Sequence, residues 1–533
     1  MSNEQNQMAV AMKKTAQLTH TENGALSFCL ETIENPWVKV FYQVSSFRLR
    51  FTQAQSVATR HAKALNNDDQ VMKDYRQALD EAQGTEFEKY GIRLALFVRD
   101  ITQGMGERAL GRLMFTELAD RRLIKADQLV DVLCRQGYGR WDDVIAIVQL
   151  TKNRSFAVAL DQAIVAQLHA DNEALNTQAG NAQVSLLAKW MPSIATSSSL
   201  TRRWARHYIR LLKLDNRGYR KMLSALRTQL RIVEQKICSK QWNEIEYAHV
   251  PSKAALRYAN TFRSHDQERY QAFLESVKKG ETKINAGTLT APEIIAKVRE
   301  HRYINGGNDT NELLWEALPP LELKRNLLPV CDVSGSMHTS VGSLMAIDVS
   351  LGLSLYLAQS NTGPFKNLVM SFSADSHIND LSKKRTLLAK WNELGKHEGY
   401  NTNIQSALEQ LWNLANEHHV TQDELPGLVF FSDMEFDSMN DSKGKPVVIF
   451  EHYKKKFDSI GLKMPQVIFW NICNRTDTVP MRENDLGMVL CSGFSQQIME
   501  AVLSNEFKTP WAMLKETLDK ERFCVLDQVA FDN

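Results

Sequence analysis

The stretch Leu327-Leu-Pro-Val-Cys-Asp-Val-Ser-Gly-Ser-Met337 narrows the possible folds more than any other part of the chain. Its apolar run, 327–331, has the length and continuity of a buried strand. Such a strand hands its next residues to the C-terminal edge of a sheet, the edge where open α/β sheets bind ligands. Here those residues include Asp332, Ser334 and Ser336, with Gly335 allowing the backbone to fold tightly. One carboxylate and two hydroxyls converging on a point suit a hard divalent cation.

The chain around it changes period. Beyond 322, strands are expected at 326–332, 367–372, 427–432, 466–471 and 488–491. Helices are expected at 341–359, 404–415, 447–460, 494–503 and 510–519. That alternation predicts a doubly wound, mostly parallel α/β domain over 322–519. Upstream, apolar residues recur at three-and-four spacing in 57–65, 71–81, 86–102, 106–120, 126–134, 141–150 and 155–170. They recur again in 182–190, 201–212, 218–238, 253–262, 267–280 and 292–302. This predicts an all-helical domain of stacked helix pairs over 23–321, in the manner of HEAT-like repeats but without a fixed sequence period. Residues 302–321, with Gly306, Gly307, Pro319 and Pro320, mark the boundary. Residues 1–22 are expected to be disordered, and 520–533 form an unassigned tail.

Charge is distributed unevenly. The chain carries +2 overall, yet 201–240 holds twelve Lys and Arg against Asp215 and Glu234, a net of +10. The remainder therefore sums to −8. Arg202, Arg206, Arg210 and Lys213, and separately Arg217 and Lys221, recur at three-to-four spacing and line helix faces, with Arg203 beside them. A block of this density is the footprint of a polyanion site. Trp204, Tyr208 and Tyr219 lie among these cations and are candidates for base stacking. The bland alternative is a solvated amphipathic surface.

No apolar run approaches the roughly 18 residues of a membrane span, and the polar N-terminus is not a signal peptide. Seven scattered cysteines without C-x-x-C spacing argue against a disulfide framework or a zinc site and for a reducing, cytoplasmic setting. A monomer is expected.

The Asp332-x-Ser334-x-Ser336 pattern resembles the metal-ion-dependent adhesion site of von Willebrand factor A domains. The resemblance implies a threonine and an aspartate from two later loops. Thr402 stands in Gly399-Tyr-Asn-Thr-Asn403 before the helix expected at 404, and Asp433 ends the apolar run 428–432. A-domain sites often have glycine after the last aspartate; here Met434 follows, then Glu435 and Asp437, whose part in the site stays open. An all-oxygen set with room for water makes Mg2+ the expected ion. The family uses its open coordination position to take a carboxylate from a protein partner. No nucleophile or general base stands out, His338 being the nearest titratable group, so a binding role and not an enzyme is expected.

A helical-repeat domain followed by such an A domain resembles the TROVE-domain family, the group of the Ro autoantigen, over roughly 25–510. It looks closer still to a TROVE-related family of unknown function. That likeness rests on Thr21-Glu-Asn-Gly-Ala-Leu-Ser27, Arg99-Asp-Ile-Thr-Gln-Gly-Met-Gly-Glu-Arg108 and Tyr138-Gly-Arg-Trp-Asp-Asp143. Lys189-Trp-Met-Pro-Ser193, Lys283-Ile-Asn-Ala286 and Ser432-Asp-Met-Glu-Phe-Asp437 extend it. The resemblance implies a helical ring closed by the A domain, binding small structured or misfolded non-coding RNA on its basic outer surface. The competing reading is a metal-dependent protein-interaction module with the helical part as scaffold.

Smaller motifs carry structural explanations. Gly104-Met-Gly106 lacks the Gly-Lys-Ser/Thr ending of a phosphate loop and reads as a turn between helices. Trp141-Asp-Asp143 reads as a helix start with carboxylates at the positive dipole end, and Arg140 as their partner. His265 and Asp266 read as a helix N-terminus, with Arg263 beside them as a candidate functional group.

Overall fold

The computed structural model of the chain describes residues 18–20, 26–29, 35–44, 70–177, 182–230, 232–301, 309–323, 326–341, 344–399, 401–433, 449–472, 478–479, 488–492, 499 and 510–527. They fall into two compact units. One comprises Met1–Ser56, Lys73–Glu81 and Ala286–Lys520, the other Val57–Met72, Ala82–Asn285 and Glu521–Asn533. This division differs from the linear one expected from the sequence, in which a helical domain ended at 321 and a tail began at 520.

The first unit is built on a six-stranded sheet. Its strands are β3 (Leu327–Asp332), β6 (Leu368–Phe372), β7 (Ser376–Asp380), β8 (Gly427–Ser432), β9 (Val467–Asn471) and β11 (Met488–Ser492). The order is β11-β9-β8-β3-β6-β7, parallel except for β7, which runs antiparallel to β6 at the edge. β3 is buried at every position because neighbours flank both its edges and the Ala346–Ser360 helix packs on it. Gly352 makes a second contact of that helix possible: a Cβ there would lie 2.7 Å from the backbone nitrogen of Pro292, in helix Ala291–Glu300. Helix Ala291–Glu300 and helix Asp309–Glu316 thus belong to the sheet's unit, although the sequence placed the first upstream and the second in a linker. The buried face of Asp309–Glu316 (Leu313, Leu314, Trp315) explains why it folds as a helix and not as a hinge.

Three local departures follow from pairing that local periodicity does not encode. The helix expected from 341 starts at Ala346, after a two-residue hairpin of β4 (Ser340–Val341) and β5 (Leu344–Met345). β7 and helix Leu387–Gly395 had no counterpart in the sequence reading, although only β7, Ser-His-Ile-Asn-Asp, is a polar stretch. β1 (Leu18–His20), within the expected disordered terminus, pairs antiparallel with β2 (Leu26–Cys29), which also pairs with β10 (Thr478–Val479). Backbone pairing on both sides of β2 holds this small sheet together. The helices expected at 57–65 and 494–503, and the 302–308 part of the linker, lie outside the described residues, apart from helical Met499.

The second unit is helical. Lys89–Arg99, Arg108–Asp120, Trp141–Leu150 and Arg154–Thr177 pack each on its predecessor. Asn216–Gln229 packs on Arg154–Thr177, and Ser252–His265 on Gln267–Lys278. Between Phe97 and Glu107 the chain turns on Gly104 and Gly106: Met105 N donates to Phe97 O, and Gly106 adopts φ 63°. A side chain at Gly104 would strike that same carbonyl, so the turn needs glycine there. The expected tail is part of this unit. Arg522 donates to both oxygens of Asp100 and stacks its guanidinium 4.2 Å from the Tyr138 ring, while Phe523 meets Phe97 edge-on.

Candidate functional site

The Asp332 end of β3 lies beside the Ser432 end of β8 because the two strands are in register, Cys331 opposite Phe431. Asp332 is wholly buried, accepts the backbone N–H of Ser334 at 2.9 Å, and accepts the Ser432 hydroxyl through its other oxygen. Ser334 and Ser336 place their hydroxyls 3.0 Å apart, Ser336 lying in a 3-10 turn, Gly335–His338. Gly399 bridges to Ser334, and Asn403 N donates to Ser373 O at 2.8 Å, so the loop between them, which carries Thr402, is drawn to the same edge. Thr402 and Asp433 are both 1% exposed. Glu435 and Asp437 lie outside the described residues.

The electrostatics of this edge follow from crowding two carboxylates where water is excluded. Burial first, and the neighbouring Asp433 charge second, push the Asp332 carboxyl above the usual carboxylate range, against the hydrogen bonds from Ser334 and Ser432. Among the described residues no group of three His, Cys, Asp or Glu could hold a metal, so a cation here would depend on hydroxyl oxygens beside the two aspartates. Five oxygen-bearing side chains and an excess of buried negative charge fit a hard divalent ion and offer nothing to a soft one. Ser432 and Gly399 were not singled out in the sequence. The alternation Ser432-Asp433 after an apolar strand was the available signal for the first.

Most of the basic block lies in two helices, Ser199–Leu211 and Asn216–Gln229. Arg203, Arg206, Arg210, Lys213, Arg217, Arg220 and Lys221 are all exposed. Lys213 lies past the first helix in a left-handed conformation, φ 54°, where it ends the helix. The block's acidic residues are engaged: Asp215 accepts Gly218 N, and Glu234 lies 3.8 Å from Lys189. Among the described residues, none of the seven exposed cations has a carboxylate partner. Arg202 is half-buried and spends its guanidinium on the carbonyls of Thr196 and Ser197. Arg227, in the same block, likewise donates to Ala188 O and Met191 O. Tyr208 and Tyr219 are corrected by the structure. Both are fully buried, on the face opposite the arginines, and Tyr219 donates its hydroxyl to Pro192 O at 2.9 Å. They cannot stack on bases. Trp204 is half-buried against His207.

Two of the quoted stretches meet in a charged network inside the helical unit. Asp143, 1% exposed, accepts Arg99 Nε at 2.8 Å and Arg112 Nε at 2.6 Å, and caps its own helix by accepting Arg140 N at 2.9 Å. Asp142 takes Arg112 Nη2 at 2.6 Å and lies 3.2 Å from Arg140 Nε. Arg140 also lies 4.6 Å from the Trp190 ring, so its partners are intramolecular, as expected. Burial alone would raise the Asp143 carboxyl; Arg99 and Arg112 outweigh it and hold the group below its ordinary range.

Comparison with known proteins places family models on both halves of the chain. A model described as "Domain of unknown function (DUF2828)" matches residues 197–318, and one described as "Domain of unknown function (DUF7788)" matches 326–523. The first takes in the basic helices, the second the strand-edge site. The chain is similar to "Uncharacterized protein L728" of Acanthamoeba polyphaga mimivirus, 24% identical over 541 residues, covering 95% of this chain and 88% of that protein. Among solved structures it is similar to the RO (RSR) protein of Deinococcus radiodurans, at 14% identity and a TM-score of 0.33, covering 92% of this chain and 89% of that one.

Proposed function

We propose that the protein binds RNA through the exposed face of helices Ser199–Leu211 and Asn216–Gln229, and that the β3–β8 edge holds a divalent cation, Mg2+, for docking an acidic side chain of a protein partner. The observation that carries the first part is the set of seven exposed cations without carboxylate partners among the described residues. A face of that kind gains most from a partner that brings many phosphates at regular spacing. Phosphate contacts fix register and affinity without reading sequence, which suits structured non-coding RNA. Asp332, Ser334, Ser336, Thr402 and Asp433 would hold the cation, which supplies a positive charge that a partner carboxylate can complete. On this reading both sites bind and neither catalyses, in keeping with a ribonucleoprotein component.

The test is RNA affinity against salt. Each phosphate contact contributes about 0.7 to 0.9 to the slope of log affinity against log salt, depending on strandedness. Arg206→Glu, Arg210→Glu and Arg217→Glu together are expected to weaken binding at least tenfold at low salt and to flatten the slope by about 2 or more. Affinity of the wild-type chain that does not change with moderate salt would overturn the electrostatic interface. The narrower reading, partner docking with an inert helical unit, predicts no RNA binding at all but a cation-dependent protein partner lost in Asp332→Ala.

A further inference from the structure

With Tyr208 and Tyr219 buried, the basic helices offer no exposed ring to stack on a base, Trp204 and His207 both being half-buried, so exposed stacking surface is to be sought elsewhere on the helical unit. The chain that carries the cations runs on through Val233–Cys238 and exposed Lys240 directly into Trp242. Trp242 is half-buried and stacks on His265, with ring centroids 4.6 Å apart and planes 19° from parallel. His265 is exposed and ends helix Ser252–His265. We propose that Trp242 and His265 form a preformed stacking platform for unpaired bases of a bound single-stranded RNA segment. This inference rests on the RNA reading above and names the part of the RNA that the phosphate-binding face leaves unread.

Two features favour a platform over two side chains that merely touch. The pair is held from behind. Arg269 donates to Trp242 O at 2.7 Å, to Ile245 O at 2.9 Å and to Asp266 Oδ2 at 2.8 Å, and Asp266 also accepts the Tyr247 hydroxyl at 2.7 Å. That clamp joins the turn carrying Trp242 to the helix junction carrying His265. The imidazole is oriented as well: its Nδ1 lies 3.0 Å from Thr261 O and 2.9 Å from Ser264 Oγ. A base added to this pair would extend an existing stack without ordering either ring, so little conformational entropy opposes binding.

The experiment compares a short fluorescent oligoadenylate with an abasic ribose-phosphate strand of the same length on the full chain. Wild type is expected to prefer oligoadenylate by about tenfold or more, the contribution of stacked bases. Trp242→Ala and His265→Ala are each expected to remove most of that preference while leaving abasic binding and the salt slope unchanged. Trp242→Phe keeps part of it. An unchanged thermal midpoint in His265→Ala, an exposed position, separates loss of stacking from loss of fold. Equal binding of both strands by wild type, or an unchanged preference in both alanine variants, overturns the platform and leaves the RNA reading standing. No binding of either strand by wild type overturns both.

Discussion

Asp143→Ala tests whether the two stretches around 99–112 and 138–143 are joined by charge and not by proximity alone. The substitution removes the shared acceptor of Arg99 and Arg112, which are 2% and 6% exposed, and the cap on Arg140 N. Breaking a buried ion pair from one side costs about 3–5 kcal/mol, chiefly because the surviving charge is left without compensation. Here two guanidiniums share one lost partner, and Arg112 keeps Asp142 at 2.6 Å, so a cost of about 4 kcal/mol, with Arg99 the main contributor, is the working figure. Denaturation of the full chain followed by circular dichroism and intrinsic fluorescence measures it, fitted with a separate transition for each unit. The decisive comparison adds Arg99→Met to Asp143→Ala. If stranded charge is the cause, the double variant recovers roughly half or more of the loss. A cost under about 1 kcal/mol for Asp143→Ala, or no recovery in the double variant, would refute the reasoning. The pH dependence has a definite sign. Because the folded carboxyl is held below its ordinary value, its contribution is complete above about pH 4 and is lost as pH falls below it.

Asp332 behaves in the opposite sense: burial and Asp433 raise its carboxyl, so the ionised form opposes folding at neutral pH when no cation is bound. Asp332→Asn is therefore expected to be at least as stable as wild type in chelator at pH 8, and to lose the rise in thermal midpoint that millimolar Mg2+ gives wild type. A Mg2+ response equal in both chains would remove Asp332 from the site. Gly352→Ala would drive a methyl to within 2.7 Å of the Pro292 backbone, which cannot yield as a side-chain tip can. A loss of about 1–3 kcal/mol in the α/β unit is expected, and a neutral result would show that the two helices do not meet as described.

The parts of the fold legible in the sequence are those whose burial is written locally. β3 and β8 are flanked on both sides, so their interiors had to be unbroken apolar runs, and Asp332 ending the first and Asp433 following the second marked the sheet edge. β7 is an edge strand with Ile378 exposed, and its Ser-His-Ile-Asn-Asp composition carries no such signal. Tyr208 and Tyr219 were readable but misread. Tyr208 shares the 205/208/209/212 spacing of its helix's buried side, and that period should have outweighed the nearness of arginines in sequence. Arg202 and Arg227 show the limit of counting charges, because carbonyls in a short helix and turns elsewhere in the unit decide which cations face water. The stacked pair of Trp242 and His265 is separated by a whole helix, and nothing local joins them.

The return of residues 521–527 to the helical unit sets an order of events during synthesis. Arg522 reaches Asp100 across 422 residues, and Asp527 pairs with Arg93 across 434. At ribosomal speeds of about 5–20 residues per second, Asp100 waits roughly 20–80 seconds for its guanidinium. Through that interval the α/β segment is made and can fold first, while the earlier helices stand with a buried carboxylate and the Phe97 contact incomplete. The helical unit, most of which is made before the sheet, is finished last, and a chain stopped just short of Arg522 would be expected to burden chaperones through its helices and not through its sheet.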